Sequence, residues 1–178
     1  MQGRVGIIGA IAGAFALAAV TAASTAAGAT RPETSLTRLD HTIVAAINHY
    51  RAQHHLHGLS VSPELDRSAQ QHSVEMGADG YFAHSSADGS AFWQRIERYY
   101  PSQHASYWSV GENLLWSSPG VSTGQAMQMW IASPEHKANL LAARWRQIGI
   151  SAVHVLAAPG TYHGLTVTII TTDFGVRR

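Results

Sequence analysis

Gln147-Ile148-Gly149-Ile150-Ser151-Ala152-Val153-His154-Val155-Leu156 and, after a turn dipeptide at Pro159-Gly160, Leu165-Thr166-Val167-Thr168-Ile169-Ile170 decide the fold class. In the first run Ile148, Ile150 and Ala152 fall on one side; in the second Leu165, Val167 and Ile169 alternate with Thr166, Thr168 and Ile170. A period of two is what a pleated strand requires, and the intervening turn makes the pair a terminal hairpin. Upstream the period changes. Leu39, Ile43, Ile47, Tyr50 and His54 stand at helical spacing, with Thr37 and Asp40 resembling a capping box and Gly58 a stop, so a first helix is predicted over about Arg38–His57. Ser62-Pro63 starts a second helix whose stripe is Leu65, Ala69, His72 and Met76, ending at Gly77 or Gly80. Phe92, Ile96 and Tyr99 mark a third, stopped by Pro101. Tyr107–Leu115 reads as a short strand. Ser122 or Thr123 caps a fourth helix bearing Met127, Trp130 and Ile131, and Ser133-Pro134 breaks it and starts a short fifth through Leu141. Helices first and strands later imply an α+β domain.

The N-terminus has a different composition. Met1–Arg4 carries one positive charge, Val5–Val20 is almost wholly small and apolar, and Thr21–Ala29 ends Ala27-Gly28-Ala29. That is the layout of a secretory signal peptide cut after Ala29 (residues 1–29), rather than of a membrane anchor, for which the apolar run is short. Residues 30–36 read as a linker and 37–178 as one domain, with no membrane span after cleavage. About 150 residues remain, enough for one packed core. With 0 cysteines that core has no disulfide staple, and thiolate chemistry is excluded. Twelve Lys+Arg against 11 Asp+Glu leave the mature chain near neutrality, which gives no footprint for nucleic acid. The 11 histidines would turn it cationic near pH 6. Lys137 is the lone lysine, and with the abundant alanine this suggests a GC-rich bacterial gene.

Three positions stand out for chemistry: His84, Glu112 and His136, each at a loop or element boundary. If Ser133 caps the fifth helix, His136 lies in its first turn, where the helix end opposes a positive charge and favours the neutral imidazole. Neutral imidazole is the form that binds a metal or accepts a proton. Two histidines and a carboxylate are the minimum donor set for Zn²⁺ or another divalent ion with an open position. From spacing alone, unrelated surface or capping histidines are the better explanation of the same residues. His54, His55 and His57 read as a solvated helix end, Asn113 and Asn139 as partners for backbone groups, and most of Trp93, Trp108, Trp116, Trp130 and Trp145 as core. Ser85, Ser86 and Ser133 are hydroxyls near the histidines, but none sits in a nucleophile elbow.

The ordered motifs resemble the CAP superfamily, or SCP domain, which includes cysteine-rich secretory proteins, venom antigen 5 and plant pathogenesis-related proteins. The resemblance runs through Asn48-His49-Tyr50-Arg51, Gly58-Leu59, Phe82-Ala83-His84, Gly111-Glu112-Asn113, Trp130 and Ser133-Pro134-Glu135-His136-Lys137-Ala138-Asn139-Leu140-Leu141. It closes with Ile148-Gly149-Ile150 and Asp173-Phe174-Gly175, and its cysteine-free form is similar to the bacterial branch. It implies a single-domain α-β-α sandwich with a central antiparallel sheet. It also implies a cleft with two histidines and two acidic residues, His84, Glu112 and His136 matching three of them and Ser133 standing where the second glutamate would be. Glu135, adjacent to His136, is no obvious substitute. Three functions follow as expectations. The first is a secreted binding module, expected to be monomeric, for a divalent metal (His84, His136 and Glu112 as ligands) or a small lipid, peptide or cell-envelope ligand. The second is a non-catalytic scaffold. The third is a hydrolase with His84 or His136 as general base.

Overall fold

The computed structural model describes residues 32–178, with side chains from Thr37 onward. The signal-peptide reading lies outside the described residues. In chain order the elements are α1 (Pro32–Gln53), β1 (Ser60–Val61), α2 (Pro63–Asp79), α3 (Phe92–Tyr99), β2 (Trp108–Ser117), α4 (Thr123–Ala132), α5 (Pro134–Leu140), β3 (Gln147–Val155) and β4 (Val167–Arg177).

Local chemistry explains most boundaries. Ser62 sits in extended conformation and its Oγ accepts from Leu65 N, while Pro63 opens α2 and Gly80, at φ 72°, closes it. Ser122 and Gln125 form the reciprocal capping box of α4. The first helix departs from expectation at both ends. It begins at Pro32, upstream of Arg38, and ends at Gln53 because His55 takes a left-handed φ of 58°. Asp40 therefore lies inside α1, and its carboxylate accepts instead from Ala152 N at 2.8 Å.

The sheet runs β1-β3-β4-β2. β4 is its spine, antiparallel to β2 from Trp108↔Arg177 to Ser117↔Thr168 and to β3 from Gln147↔Gly175 to Val155↔Val167. The short β1 adds a parallel edge that sequence alone did not reveal. Helices cover both faces, as the sandwich reading requires. One face packs Ile148, Ile150, Ile170 and Phe174 against Ile43, Ile47, Trp130 and Leu140. The other carries two smaller apolar clusters, around Met76, Leu114 and Ile169 and around Leu65, Ile96 and Tyr100. On that face α2 presses directly on β3, so a Cβ on Gly149 would lie 2.1 Å from the Leu65 carbonyl carbon. Gly149→Ala should cost about 3 kcal/mol in urea unfolding, the upper range for overpacking, because backbone cannot swing aside as a side chain can.

Beyond the two residues of β1, the outward N–H groups of Ile150 and Ala152 donate to the carboxylates of Asp66 (2.9 Å) and Asp40 (2.8 Å). Burial raises the Asp40 pKa from 3.8 to about 7; the Ala152 N–H opposes this and the neighbouring Asp66 charge adds to it. A carboxyl whose folded pKa is raised binds its proton more tightly in the native state. Its contribution is thus complete below pH 3.8 and is lost as pH rises through about 7. Asp40→Asn keeps an oxygen for Ala152 and cannot ionise. The melting temperature of the wild type should fall relative to this variant between about pH 4 and pH 7; parallel curves across that window would refute the assignment.

Candidate functional site

The site lies where edge strand β2 meets α5 on one side and the loop before α3 on the other. Gly111-Glu112-Asn113 occupies the middle of β2, and the pleat sends neighbouring side chains to opposite faces. Gly111 leaves room for Trp145 and Asn139, since a Cβ there would fall 2.7 Å and 2.8 Å from their atoms. Asn113 donates to His136 O at 3.1 Å, and Asn139 donates to Glu112 O at 2.9 Å and to Asn113 Oδ1 at 3.1 Å. Both asparagines thus serve backbone groups. The far end of α5 is held by the buried Arg51, whose Nη1 donates to Leu140 O (2.7 Å) and Ala142 O (3.2 Å). Trp145 Nε1 donates to Asn139 O at 3.0 Å. A helix of 7 residues is marginal alone; here its orientation, and that of His136, comes from these side-chain anchors. Ser133 stands at its N-cap by conformation, but its hydroxyl donates to the exposed Glu135 at 3.3 Å and does not cap the helix.

On the opposite face Glu112 is buried and both its oxygens are engaged. Oε1 accepts from His84 Nδ1 at 2.7 Å, and Oε2 is ion-paired with the fully buried Arg95. Burial opposes ionisation of Glu112, but the Arg95 guanidinium and the His84 hydrogen bond outweigh it and hold the carboxyl below its ordinary range. An ionised carboxylate only accepts, so the proton of a neutral His84 ring sits on Nδ1 and Nε2 is left as an acceptor. The loop carrying His84 is clamped from beneath. Arg95 Nη1 donates to His84 O and to Ser86 Oγ, each at 3.2 Å, and His72 Nε2 donates to Ala83 O at 2.8 Å. His72 is fully buried, and desolvation foremost keeps its pKa low and its ring neutral. Asp173, directly opposite Glu112 in the β2–β4 register, is also fully buried. Burial, then the Glu112 charge, raises its pKa well above 3.8.

His136 is half-buried, and burial followed by the nearby His84 lowers its pKa; Glu135 opposes weakly. The lowered pKa keeps the His136 ring neutral at pH 7. The structure thus assembles His84, Glu112 and His136 around one strand. Both oxygens of Glu112 are engaged within the fold, one by His84 and one by Arg95. Among the described residues no group of three or more His, Asp or Glu is arranged to hold an ion. Nor, among those residues, is a serine hydroxyl bonded to His84 or His136; Ser86 is buried against Arg95 and Ser85 is exposed. Trp130 and Trp145 are core, Trp108 and Trp116 half-buried, and Trp93 is exposed. His54, His55 and His57 are exposed beyond the end of α1. Arg95 and His72 were missed as site residues. Their signal was a charged group and a histidine set within otherwise apolar helical stripes.

The comparisons agree with this architecture. The family model for CAP, the cysteine-rich secretory protein family, matches residues 44–163, which include His84, Glu112 and His136, and the chain belongs to that family. It is similar in fold to an outer surface protein of Borrelia burgdorferi (TM-score 0.61, 22% identity, covering 80% of this chain and 96% of that one). It is also similar to an extracellular SCP-domain protein of Bacillus anthracis (0.63, 22%, 85% and 45%) and a cysteine-rich secretory protein of Staphylococcus aureus (0.59, 14%, 83% and 41%). The chain spans less than half of the last two. A search of curated proteins finds no match. No helix among the described residues is long and apolar enough to cross a membrane.

The Arg95–Glu112 pair makes a prediction about stability. Glu112→Ala strands a buried guanidinium and should cost about 3–5 kcal/mol. His84→Ala removes one partly solvated bond to a carboxylate and should cost distinctly less, about 1.5–2 kcal/mol. Equal losses in urea unfolding would mean that Arg95 draws no support from Glu112.

Proposed function

We propose that the protein is a secreted binding module whose cleft offers two imidazoles, His84 and His136, to a ligand. One observation carries this reading: the ionised Glu112 holds His84 Nδ1–H at 2.7 Å, so the neutral ring has Nε2 as its acceptor, and burial favours the neutral form of His136. Such a pair suits a divalent cation such as Zn²⁺, or a ligand presenting hydrogen-bond donors, such as a peptide or cell-envelope fragment. For a metal, His84 and His136 would be the protein donors, with Glu112 behind His84 as the partner that fixes its tautomer. Two protein donors leave positions open for solvent or ligand. Secretion is supported by the N-terminal sequence pattern and by the extracellular and outer-surface descriptions of the Bacillus and Borrelia neighbours.

A scaffold role is the second reading, favoured by the complete engagement of Glu112 within the fold. Thermal unfolding separates the two. Metal-stripped protein is melted with and without Zn²⁺ beside the His84→Ala/His136→Ala double variant. Zn²⁺ at 100 times its Kd should add about 2.7 kcal/mol of stability to the wild type and nothing to the variant. No rise in the wild type removes the metal from the proposal, and a rise equal in both proteins moves it to another site.

A further inference from the structure

Arg95 lies between the two segments that build the cleft. It sits on α3, after the loop that carries His84 and before the strand that carries Glu112. Its side chain is fully buried, ion-paired with Glu112, and close enough to the buried His72 and Asp173 for its charge to act on both. One arm of the guanidinium meets Glu112 Oε2; the other meets His84 O and Ser86 Oγ, each at 3.2 Å. Arg95 therefore touches the backbone of His84 directly and its imidazole through one intermediary.

The direction of these bonds is forced. A guanidinium can only donate, so whatever faces it at position 112 must present an acceptor. Once Oε2 is claimed, Oε1 is the atom left for His84. Glu112 and Asp173 are buried directly opposite each other with one guanidinium against them, and charge on both carboxyls would be costly there. Arg95 contacts Glu112. Neither oxygen of Asp173, nor Ser68 Oγ, meets a partner at full hydrogen-bond geometry. The charge thus resides on Glu112, and Asp173 is the neutral member.

We propose that Arg95 is the positioning residue of the cleft: by claiming one oxygen of Glu112 and the carbonyl of His84, it fixes both where the His84 ring sits and which of its nitrogens faces outward. This deepens the binding reading above and rests on it only for the use to which the outward nitrogen is put.

The test uses the metal-free full chain labelled with ¹⁵N-histidine, and long-range ¹H–¹⁵N spectra at about pH 9, above the ordinary imidazole range. The His84 signal is identified by its disappearance in His84→Ala. In the wild type it should show the Nδ1–H tautomer. In Glu112→Gln, Arg95 should claim the amide oxygen and turn the amide NH₂ toward Nδ1, so the pattern should invert to Nε2–H. Asp173 can ionise in that variant and balance Arg95, which favours a folded protein. Persistence of Nδ1–H in folded Glu112→Gln overturns the proposal, because the amide oxygen would then be facing His84 and not Arg95. If Glu112→Gln does not fold, Arg95→Met decides: loss of the neutral Nδ1–H pattern supports the assignment, and an unchanged pattern in a folded protein overturns it. The spectra are taken without metal, so a failure to bind Zn²⁺ leaves this result standing, and an unchanged tautomer says nothing against binding.

Discussion

The buried contact between Arg95 and Glu112 is the constraint around which one half of the domain is organised. Removing a guanidinium and a carboxylate from water is costly, and their mutual attraction offsets that cost only when geometry is good and the remaining donors and acceptors find partners. Here the partners are the groups that build the proposed cleft. The second oxygen of Glu112 takes His84, and the second arm of Arg95 takes the loop on which His84 sits. The ion pair thus ties the His84 loop, α3 and β2 together and gives a loop residue the fixed orientation usually found on a rigid element.

This polar cluster also explains why the apolar core on the α2–α3 face comes in two pieces. Between the Met76 cluster and the Leu65 cluster run Ser68, His72, Ser73, Thr171 and Asp173, all fully buried. Ser73 satisfies itself locally, donating to Ser151 O and lying within hydrogen-bond reach of Thr171. The opposite face has one continuous apolar cluster reaching from α1 to α5. One face of the sheet carries a single apolar core, and the other divides its apolar residues around a buried polar network.

How far this could be read from the sequence follows from the range of the interactions. Ser62-Pro63, Ser122 with Gln125, and the alternation in β3 and β4 are local signals, and they placed their elements to within a few residues. β4 runs to Arg177, well past the alternation that ends at Ile170, because Thr171, Thr172 and Asp173 are polar residues buried by tertiary packing. β1 has only 2 residues and no pattern of its own. His84, Glu112 and His136 were legible through the ordered motifs; the structure bonds His84 to Glu112 and ties the His136 backbone to the neighbouring Asn113. Arg95 was not, because a single arginine reads as solvated until its partner is seen across the fold.

The carboxylates of Asp40 and Asp66 have a further consequence beyond satisfying two amides. A β-sheet ends in a row of unpaired N–H and C=O groups to which another extended chain can add. On the β3 side those amides at Ile150 and Ala152 are already taken by side chains from α1 and α2. On the β2 side the outward carbonyls of Glu112 and Leu114 are taken by Asn139 and Trp130. A passing strand would have to displace a side chain at each of these four positions before it could dock. Helices that serve the core thereby also guard the sheet against polymerisation, in a chain that has no cysteine to lock its edges covalently.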